Sequence, residues 1–128
     1  MTTQTPVVTG TDFITVATRD FAAAAQFYGN VLGLPLAARC SEEPAGEFET
    51  GTLTIMVMES EAFGIEFRPN KHPIAFRVED VAAARSGLEA RGVKFKGETI
   101  DTGVCHQAFF EDPDGNALSL HHRYESRD

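Results

Sequence analysis

The sequence predicts a single α+β domain over residues 1–128, in which paired βαβββ modules form a curved mixed sheet around a cup. Three observations support this fold class. A β-branched strand segment is followed by an Asp and an alanine-rich helical segment, the same order recurs about sixty residues later, and three strand-like segments follow each helix. Such periodicity indicates a duplicated unit. The modules are predicted at 12–60 and 72–124, with 61–71 as the linker.

The first module begins with a short alternating strand at Phe13–Asp20. Asp20 is a suitable N-cap for the helix FAAAAQFYGNVL, whose apolar residues recur at the spacing of a core-facing helix, and Gly33 ends that helix. The three strands that follow are predicted near Leu36–Ser41, Glu47–Thr50 and Leu53–Met58.

The second module repeats this order in register. A strand at Pro73–Asp80 leads into an alanine-rich helix at Val81–Arg91, and Gly92 ends the helix. The face of each sheet that is opposite its helix is left uncovered, and two such faces set side by side enclose a cup, which is the default place for a ligand. The last three strands are predicted near Val93–Lys96, Val104–Glu111 and Ala117–Arg123.

The final hairpin distinguishes the core face of the sheet from the cup face. The turn D-P-D-G-N combines the residues that favour tight turns, and the strand after it alternates strictly. Leu118 and Leu120 therefore belong to the core face, while Ser119 and His121 point to the cup.

Composition excludes several classes of partner. The net charge of −8 argues against nucleic acid and against an anionic membrane surface. No apolar run approaches the roughly 20 residues of a membrane span, and the first residues lack the features of a secretory signal, so we expect a cytoplasmic protein. Cys40 and Cys105 lie far apart, which favours free thiols over a disulfide.

Three stretches resemble a known family. F-Y-G-N-V-L-G-L-P-L after the first helix, I-A-F-R-V-E-D-V-A-A-A at the second strand–helix step and D-P-D-G-N in the last hairpin are similar to the vicinal oxygen chelate superfamily. This group includes glyoxalase I, extradiol dioxygenases, fosfomycin-resistance enzymes and bleomycin-resistance proteins. The resemblance covers about residues 12–123, implies the glyoxalase/bleomycin-resistance-like fold, and implies a homodimer. It does not by itself assign a chemistry.

The resemblance also implies positions for a divalent metal ion, and this chain departs from them. Those positions hold Phe13, Pro73 and Ser119, and the fourth falls within Thr54–Met58, which offers neither carboxylate nor imidazole. Such residues are poor ligands for transition metals. His121 and His122 are adjacent in a strand and point to opposite faces, so they cannot chelate one ion together. We expect no metal and no other cofactor.

The candidate ligand-binding residues are those that alternation places on the cup face, together with two methionines that form a pliable apolar wall. The resemblance adds that the positions of Phe109 and His121 line the substrate pocket in glyoxalase-type members. No catalytic residue is assigned. The ligand-binding set is Phe13, Met56, Met58, Cys105, Gln107, Phe109, Ser119 and His121.

Two functions are compatible with this set. The first is a metal-independent protein that binds or sequesters a small natural product or drug in the cup, as bleomycin-resistance proteins do. The alternative is a glyoxalase- or dioxygenase-like enzyme, a lyase or oxidoreductase, with an atypical metal or with His121, Gln107 and Cys105 in acid–base chemistry. Apolar walls with few polar groups favour the first, and the sequence leaves the question of enzymatic activity open.

Overall fold

The computed structural model of the chain describes residues 5–39 and 43–126, which form two four-stranded sheets and two helices. The first sheet has the order β1-β4-β3-β2, in which β1 and β4 are parallel and the other pairs antiparallel. Its helix, α1, continues into a π-helical turn at Phe27–Val31. The bounds are β1 Phe13–Thr18, α1 Phe21–Gln26, β2 Leu36–Arg39, β3 Ala45–Glu49 and β4 Thr54–Glu59.

The second sheet repeats this arrangement with the order β5-β8-β7-β6, in which β5 and β8 are parallel. A short 3-10 turn at Ser60–Phe63 follows the first module. The predicted α+β fold with two βαβββ modules is confirmed. Among the described strands, every hydrogen-bonded pair lies within its own module. The bounds are β5 Ile74–Arg77, α2 Val81–Ala90, β6 Lys96–Asp101, β7 Cys105–Glu111 and β8 Ala117–Arg123.

One strand prediction is wrong. The strand expected at Val93–Lys96 lies instead at Lys96–Asp101. The physical reason is the end of α2: the N–H of Val93 donates to the carbonyl of Leu88 at 3.0 Å, so Val93 completes the helix stop and its side chain enters the core. Part of the predicted Leu36–Ser41 strand, together with Cys40, lies outside the described residues.

The two helices begin in the same way. The carboxylate of Asp20 accepts a hydrogen bond from the N–H of Ala23, and that of Asp80 accepts one from Ala83. Both caps were predicted, and each is worth about 1 kcal/mol. The first helix has one residue more between its cap and its terminating glycine, Gly33 against Gly92. The π-helical turn accommodates that extra residue.

A single hydrophobic core contains residues of both modules. The predicted core face of the last strand is confirmed, because Leu118 and Leu120 are buried, and their neighbours Ala108 and Phe110 on β7 are buried as well. The same cluster includes the helix residues Phe27, Tyr28 and Leu88. The helices therefore lie where the two sheets share their interior, and the opposite face of each sheet is left uncovered by the helices. Within the described residues, no helix is long and apolar enough to span a membrane.

Candidate functional site

The uncovered face of the first sheet carries three of the predicted ligand-binding residues. Phe13 lies on β1 opposite Thr54, and its side chain is half-exposed, at 48%. Met56 lies on β4 opposite Thr15, with Glu47 on its other side, and Met58 follows on the same face. Both methionines are half-buried. This face therefore offers an aromatic ring and two flexible apolar side chains.

The corresponding face of the second sheet carries the other five. Arg77, His121 and Gln107 lie side by side on β5, β8 and β7 and form a polar row. The next row places Ser119 between Ala75 and Phe109. Ser119 is buried, at 1% exposure, whereas His121, Gln107 and Phe109 are half-buried. The half-buried members of this set can contact a ligand without a change in the sheet.

Cys105, the last predicted residue, lies at the start of β7 and is buried, at 5% exposure. Its Sγ lies 3.1 Å from Oγ1 of Thr102 and accepts a hydrogen bond from Nε2 of Gln107 at 3.5 Å. The hydrogen bond with Thr102, then that from Gln107, lowers the pKa of the thiol below its usual value. Cys105 is a free thiol, as predicted. Its burial separates it from solvent.

Two of the other histidines have separate side-chain partners. Nδ1 of His122 lies 3.1 Å from the carbonyl oxygen of Val78, and Nε2 of His106 lies 3.4 Å from a carboxylate oxygen of Asp101. Within residues 5–39 and 43–126, no group of three or more His, Cys, Asp or Glu side chains is arranged to hold a metal ion.

The three family metal positions do not fit a divalent ion in this chain. Phe13 presents a ring, Pro73 lies exposed just before β5, and Ser119 offers a neutral hydroxyl inside the sheet. A transition metal needs imidazole, carboxylate or thiolate ligands.

The turn of the last hairpin joins the two modules. The Oδ2 atom of Asp112 accepts hydrogen bonds from the hydroxyl of Tyr28 at 2.6 Å and from Nδ2 of Asn116 at 2.8 Å. Nδ2 of Asn116 also donates to the carbonyl of Ala17 at 2.8 Å, and Thr18 donates to the carboxylate of Asp114. We call this set of contacts the closed joint. Burial, then the charge of Asp112, raises the pKa of Tyr28 far above its usual value.

A cavity of about 450 Å³ lies between the modules, on the side where α2 meets the turn that joins β3 and β4. We call it the intermodule cavity. Leu53 and Ile55 line it from the first module, and Ile74, Leu88 and Leu120 from the second. A second cavity, of about 490 Å³, lies near Phe95 and Pro113. None of the eight predicted ligand-binding residues lines either of these two cavities.

Sequence reasoning missed both the closed joint and the intermodule cavity. The D-P-D-G-N segment was interpreted only as a turn, although two of its side chains also bind the first module. A position-by-position comparison of the two repeats indicates the difference between these two places. It pairs Tyr28 with Leu88 and Phe27 with Gly87, so two aromatic residues of the first helix correspond to a leucine and a glycine in the second.

Comparison with known proteins identifies the family. The model of the Glyoxalase/Bleomycin resistance protein/Dioxygenase superfamily matches residues 10–120. The chain belongs to this superfamily. Among curated relatives, the uncharacterized protein YaeR of Escherichia coli (strain K12) is 27% identical over 118 residues, which cover 84% of this chain and 92% of YaeR.

Solved structures of this superfamily share the fold at low sequence identity. TnmS3, an antibiotic binding protein from Streptomyces sp. CB03234, superposes with a TM-score of 0.78 at 22% identity and covers 93% of this chain and 99% of its own. Lactoylglutathione lyase from Agrobacterium tumefaciens superposes with a TM-score of 0.74 at 16% identity, covering 91% and 94%. The same fold thus occurs in a binding protein and in an enzyme.

Proposed function

We propose that this protein binds and sequesters a small natural product or drug on its cup face, in the cytoplasm, without a metal ion. One observation carries the proposal. The positions at which this superfamily's enzymes place metal ligands hold Phe13, Pro73 and Ser119, and the first of them presents a half-exposed aromatic ring. A ring in place of a metal ligand provides binding surface for a planar ligand instead of Lewis-acid chemistry.

The surroundings of Phe13 support this function. Met56 and Met58 add polarizable side chains that adapt to the shape of a ligand. On the second sheet, the row of Arg77, His121 and Gln107 provides hydrogen-bond donors and acceptors. Small-molecule sites are mostly apolar with a few well-placed polar groups, and the two faces together have this composition.

We further propose that the protein acts as a homodimer. Phe13 and Leu36 on the first sheet and Ile100 on the second are large apolar side chains with about half of their surface exposed. These side chains lie on β1, β2 and β6, and a second copy of the chain can cover them. Sedimentation equilibrium is expected to give twice the 13.9 kDa chain mass. A monomer at all concentrations would contradict this part of the proposal.

The comparisons are compatible with binding and with the enzymatic alternative. TnmS3 is an antibiotic binding protein with this fold, and the Agrobacterium tumefaciens protein is a lyase with this fold. The enzymatic alternative is favoured by one observation, the lowered pKa of the Cys105 thiol beside Gln107. The burial of Cys105 opposes it, because a nucleophile or base must reach its substrate.

Elemental analysis of protein purified without chelator separates the two functions. We expect less than stoichiometric divalent metal, together with thermal stabilisation by cationic and aromatic compounds in a ligand screen. A stoichiometric metal whose removal abolishes a lyase or oxidoreductase activity would refute the binding function.

A pair of variants locates the site. Phe13→Ala should abolish most of the thermal shift produced by the compound that stabilises the wild type best. Phe63→Ala is the matched control, since Phe63 is also a partly exposed phenylalanine but lies in the 3-10 turn after the first module. If both variants keep the shift, the ligand does not bind on the Phe13 face.

A further inference from the structure

We propose that the intermodule cavity is a second ligand site, distinct from the cup, which binds a small aliphatic carboxylate. The proposal rests on a difference between two places that the duplication makes equivalent. One of them is the closed joint, where a helix of the first module meets the hairpin of the second. The other is where the helix of the second module meets the hairpin of the first, and we call it the open joint.

Strand register establishes which residues are equivalent. Ile14 and Ile74 occupy the same position in the two repeats. Ile14 pairs with Ile55 and Ile74 pairs with Leu118, so Ile55 corresponds to Leu118. The hairpin pairs of Phe48 with Ile55 and of Phe110 with Leu118 follow the same pattern. Counting from these pairs, Thr50 corresponds to Asp112 and Leu53 to Asn116.

The helices are aligned by their caps and their ends. Asp20 and Asp80 cap the two helices in the same way. In each module, the N–H of the residue that follows the terminating glycine donates to a carbonyl near the end of the helix. Leu34 donates to the carbonyl of Tyr28, and Val93 donates to the carbonyl of Leu88. Tyr28 therefore corresponds to Leu88, and the residue before it, Phe27, to Gly87.

The side-chain hydrogen bonds of Tyr28, Asp112 and Asn116 in the closed joint have no counterpart at the equivalent residues of the open joint. Leu88 has no hydroxyl to donate, and Leu53 has no amide. Among the described residues, the hydroxyl of Thr50 bonds only within its own turn. It donates to the carbonyl of Leu53 at 2.7 Å and accepts from the N–H groups of Leu53 and Thr52. These residues all line the intermodule cavity.

Gly87 accounts for much of the empty space. Phe27 fills the closed joint and packs its ring against Tyr28 and Phe110. At Gly87 the side chain is absent, and a Cβ added there would have no heavy atom within 4 Å. Part of the cavity therefore corresponds to the volume that the Phe27 side chain occupies in the other copy. Its size, about 450 Å³, lies within the range of small-molecule sites, roughly 300–1,000 Å³.

The wall of the cavity indicates the charge of its ligand. Most of the lining side chains are aliphatic, and Arg77 and Arg91 also line it. Within residues 5–39 and 43–126, no Asp or Glu lines the cavity, although the chain has 19 acidic residues and a net charge of −8. One guanidinium nitrogen of Arg91 donates to the carbonyl of Val31 at 2.6 Å, which holds this cation beside the cavity. An aliphatic wall with the guanidinium of Arg91 beside it suits a carboxylate with an apolar body, whereas alternation places the side chain of Arg77 on the cup face.

The free edge of β5 adds backbone polar groups. The N–H of Val78 donates to the carbonyl of His121, so the even-numbered residues of β5 face β8. The N–H and C=O groups of Ala75 and Arg77 then point away from β8, and both residues line the cavity. At the equivalent edge of the closed joint, the carbonyl of Ala17 is bound by Asn116. A ligand in the open joint can take the place of that side chain.

Isothermal titration calorimetry with decanoate tests the proposal, with decanol as the uncharged counterpart. We expect the wild type to bind one decanoate per chain, and decanol more weakly. Gly87→Phe places in the cavity the side chain that fills the closed joint, and it should abolish decanoate binding. Ser86→Phe is the matched control, because Ser86 is the exposed neighbour in α2 and does not line the cavity.

Charge variants test the ligand class. Arg91→Gln should weaken decanoate binding by about tenfold and leave decanol binding unchanged. Arg68→Gln, which removes an exposed arginine that does not line the cavity, should change neither. Absence of decanoate binding, equal affinity for decanol, or unchanged affinity in Gly87→Phe would overturn the proposal. So would loss of binding in Phe13→Ala, because it would put the ligand in the cup.

Discussion

The closed and open joints are two equivalent places of one duplicated fold, and they differ in what fills them. The closed joint holds a buried carboxylate whose oxygens accept from Tyr28, from the side chain of Asn116 and from two turn N–H groups. The open joint holds Leu88, Leu53 and a cavity. The duplicated strands and helices therefore form the same fold in both copies, whereas the contacts between the modules differ between the two joints.

This difference has an energetic consequence. A buried polar network is stable only when every member has a partner, and the closed joint meets that condition. The open joint contains few polar side chains among its lining residues, so less hydrogen bonding between the modules is lost when those residues are changed. A site for a ligand is therefore expected where the intermodule contacts are few.

The largest effect is expected from Phe27→Ala. This ring is buried and contacts Tyr28 and Phe110, so its removal should lower the free energy of unfolding by about 4 kcal/mol. Urea denaturation followed by circular dichroism measures it. The variant also makes the closed joint resemble the open one. A loss below about 1 kcal/mol would mean that the aromatic ring does not hold the modules together.

The next largest losses of stability are expected from substitutions at equivalent residues of the β7–β8 turn and the β3–β4 turn. Asp112→Ala leaves the buried hydroxyl of Tyr28 and the amide of Asn116 without their acceptor, and should cost about 3 kcal/mol in urea denaturation. Thr50→Ala removes hydrogen bonds within a partly exposed turn only, and should cost about 1 kcal/mol. Equal losses in the two variants would contradict the distinction between the joints.

The smallest effect concerns the two tyrosines at high pH. The folded-state pKa of Tyr28 is raised far above its usual value of about 10, first by burial, so its stabilising contribution is complete below pH 10 and is lost as the pH rises above it. Stability should fall by about 1 kcal/mol between pH 10 and 11, as measured by urea denaturation. Tyr28→Phe should remove this dependence.

Tyr124 provides the control for that experiment. A hydrogen bond to Asp101 raises the pKa of Tyr124 to about 12, but this pair is exposed and lies outside both joints. Its contribution has the same sign and is lost between pH 10 and about 12, with a smaller amplitude because solvent screens it. If Tyr124→Phe removed the alkaline loss and Tyr28→Phe did not, the account of the closed joint would be wrong.

Much of the fold could be predicted because its signals are local. Alternation assigned Leu118 and Leu120 to the core, and Asp20 and Asp80 were identified as caps from their positions before alanine-rich segments. The β6 strand was misplaced because Val93 satisfies the carbonyl of Leu88 at the end of α2. The β propensity of Val93 favours a strand, and it gives no sign that the same residue is needed to end α2.

The site was predicted only in part, because contacts between modules are not local. Phe13, Met56 and His121 lie on the sheet faces that alternation assigned to them, and their role in binding stays a prediction. The contact of Tyr28 with Asp112 spans 84 residues, and no local pattern indicates it. The cavity depends on Gly87, which is an ordinary exposed helix residue until its repeat partner, Phe27, is considered.

Methyl-labelled NMR of the wild type, titrated with decanoate, tests the central claim most directly because it monitors both sites in one spectrum. We expect saturable shifts of the methyl signals from residues that line the intermodule cavity, namely Leu53, Ile74 and Leu88. The methyl signals of Met56 and Met58, on the Phe13 face, should stay unchanged. Shifts confined to the two methionines, or no shift at all, would contradict it.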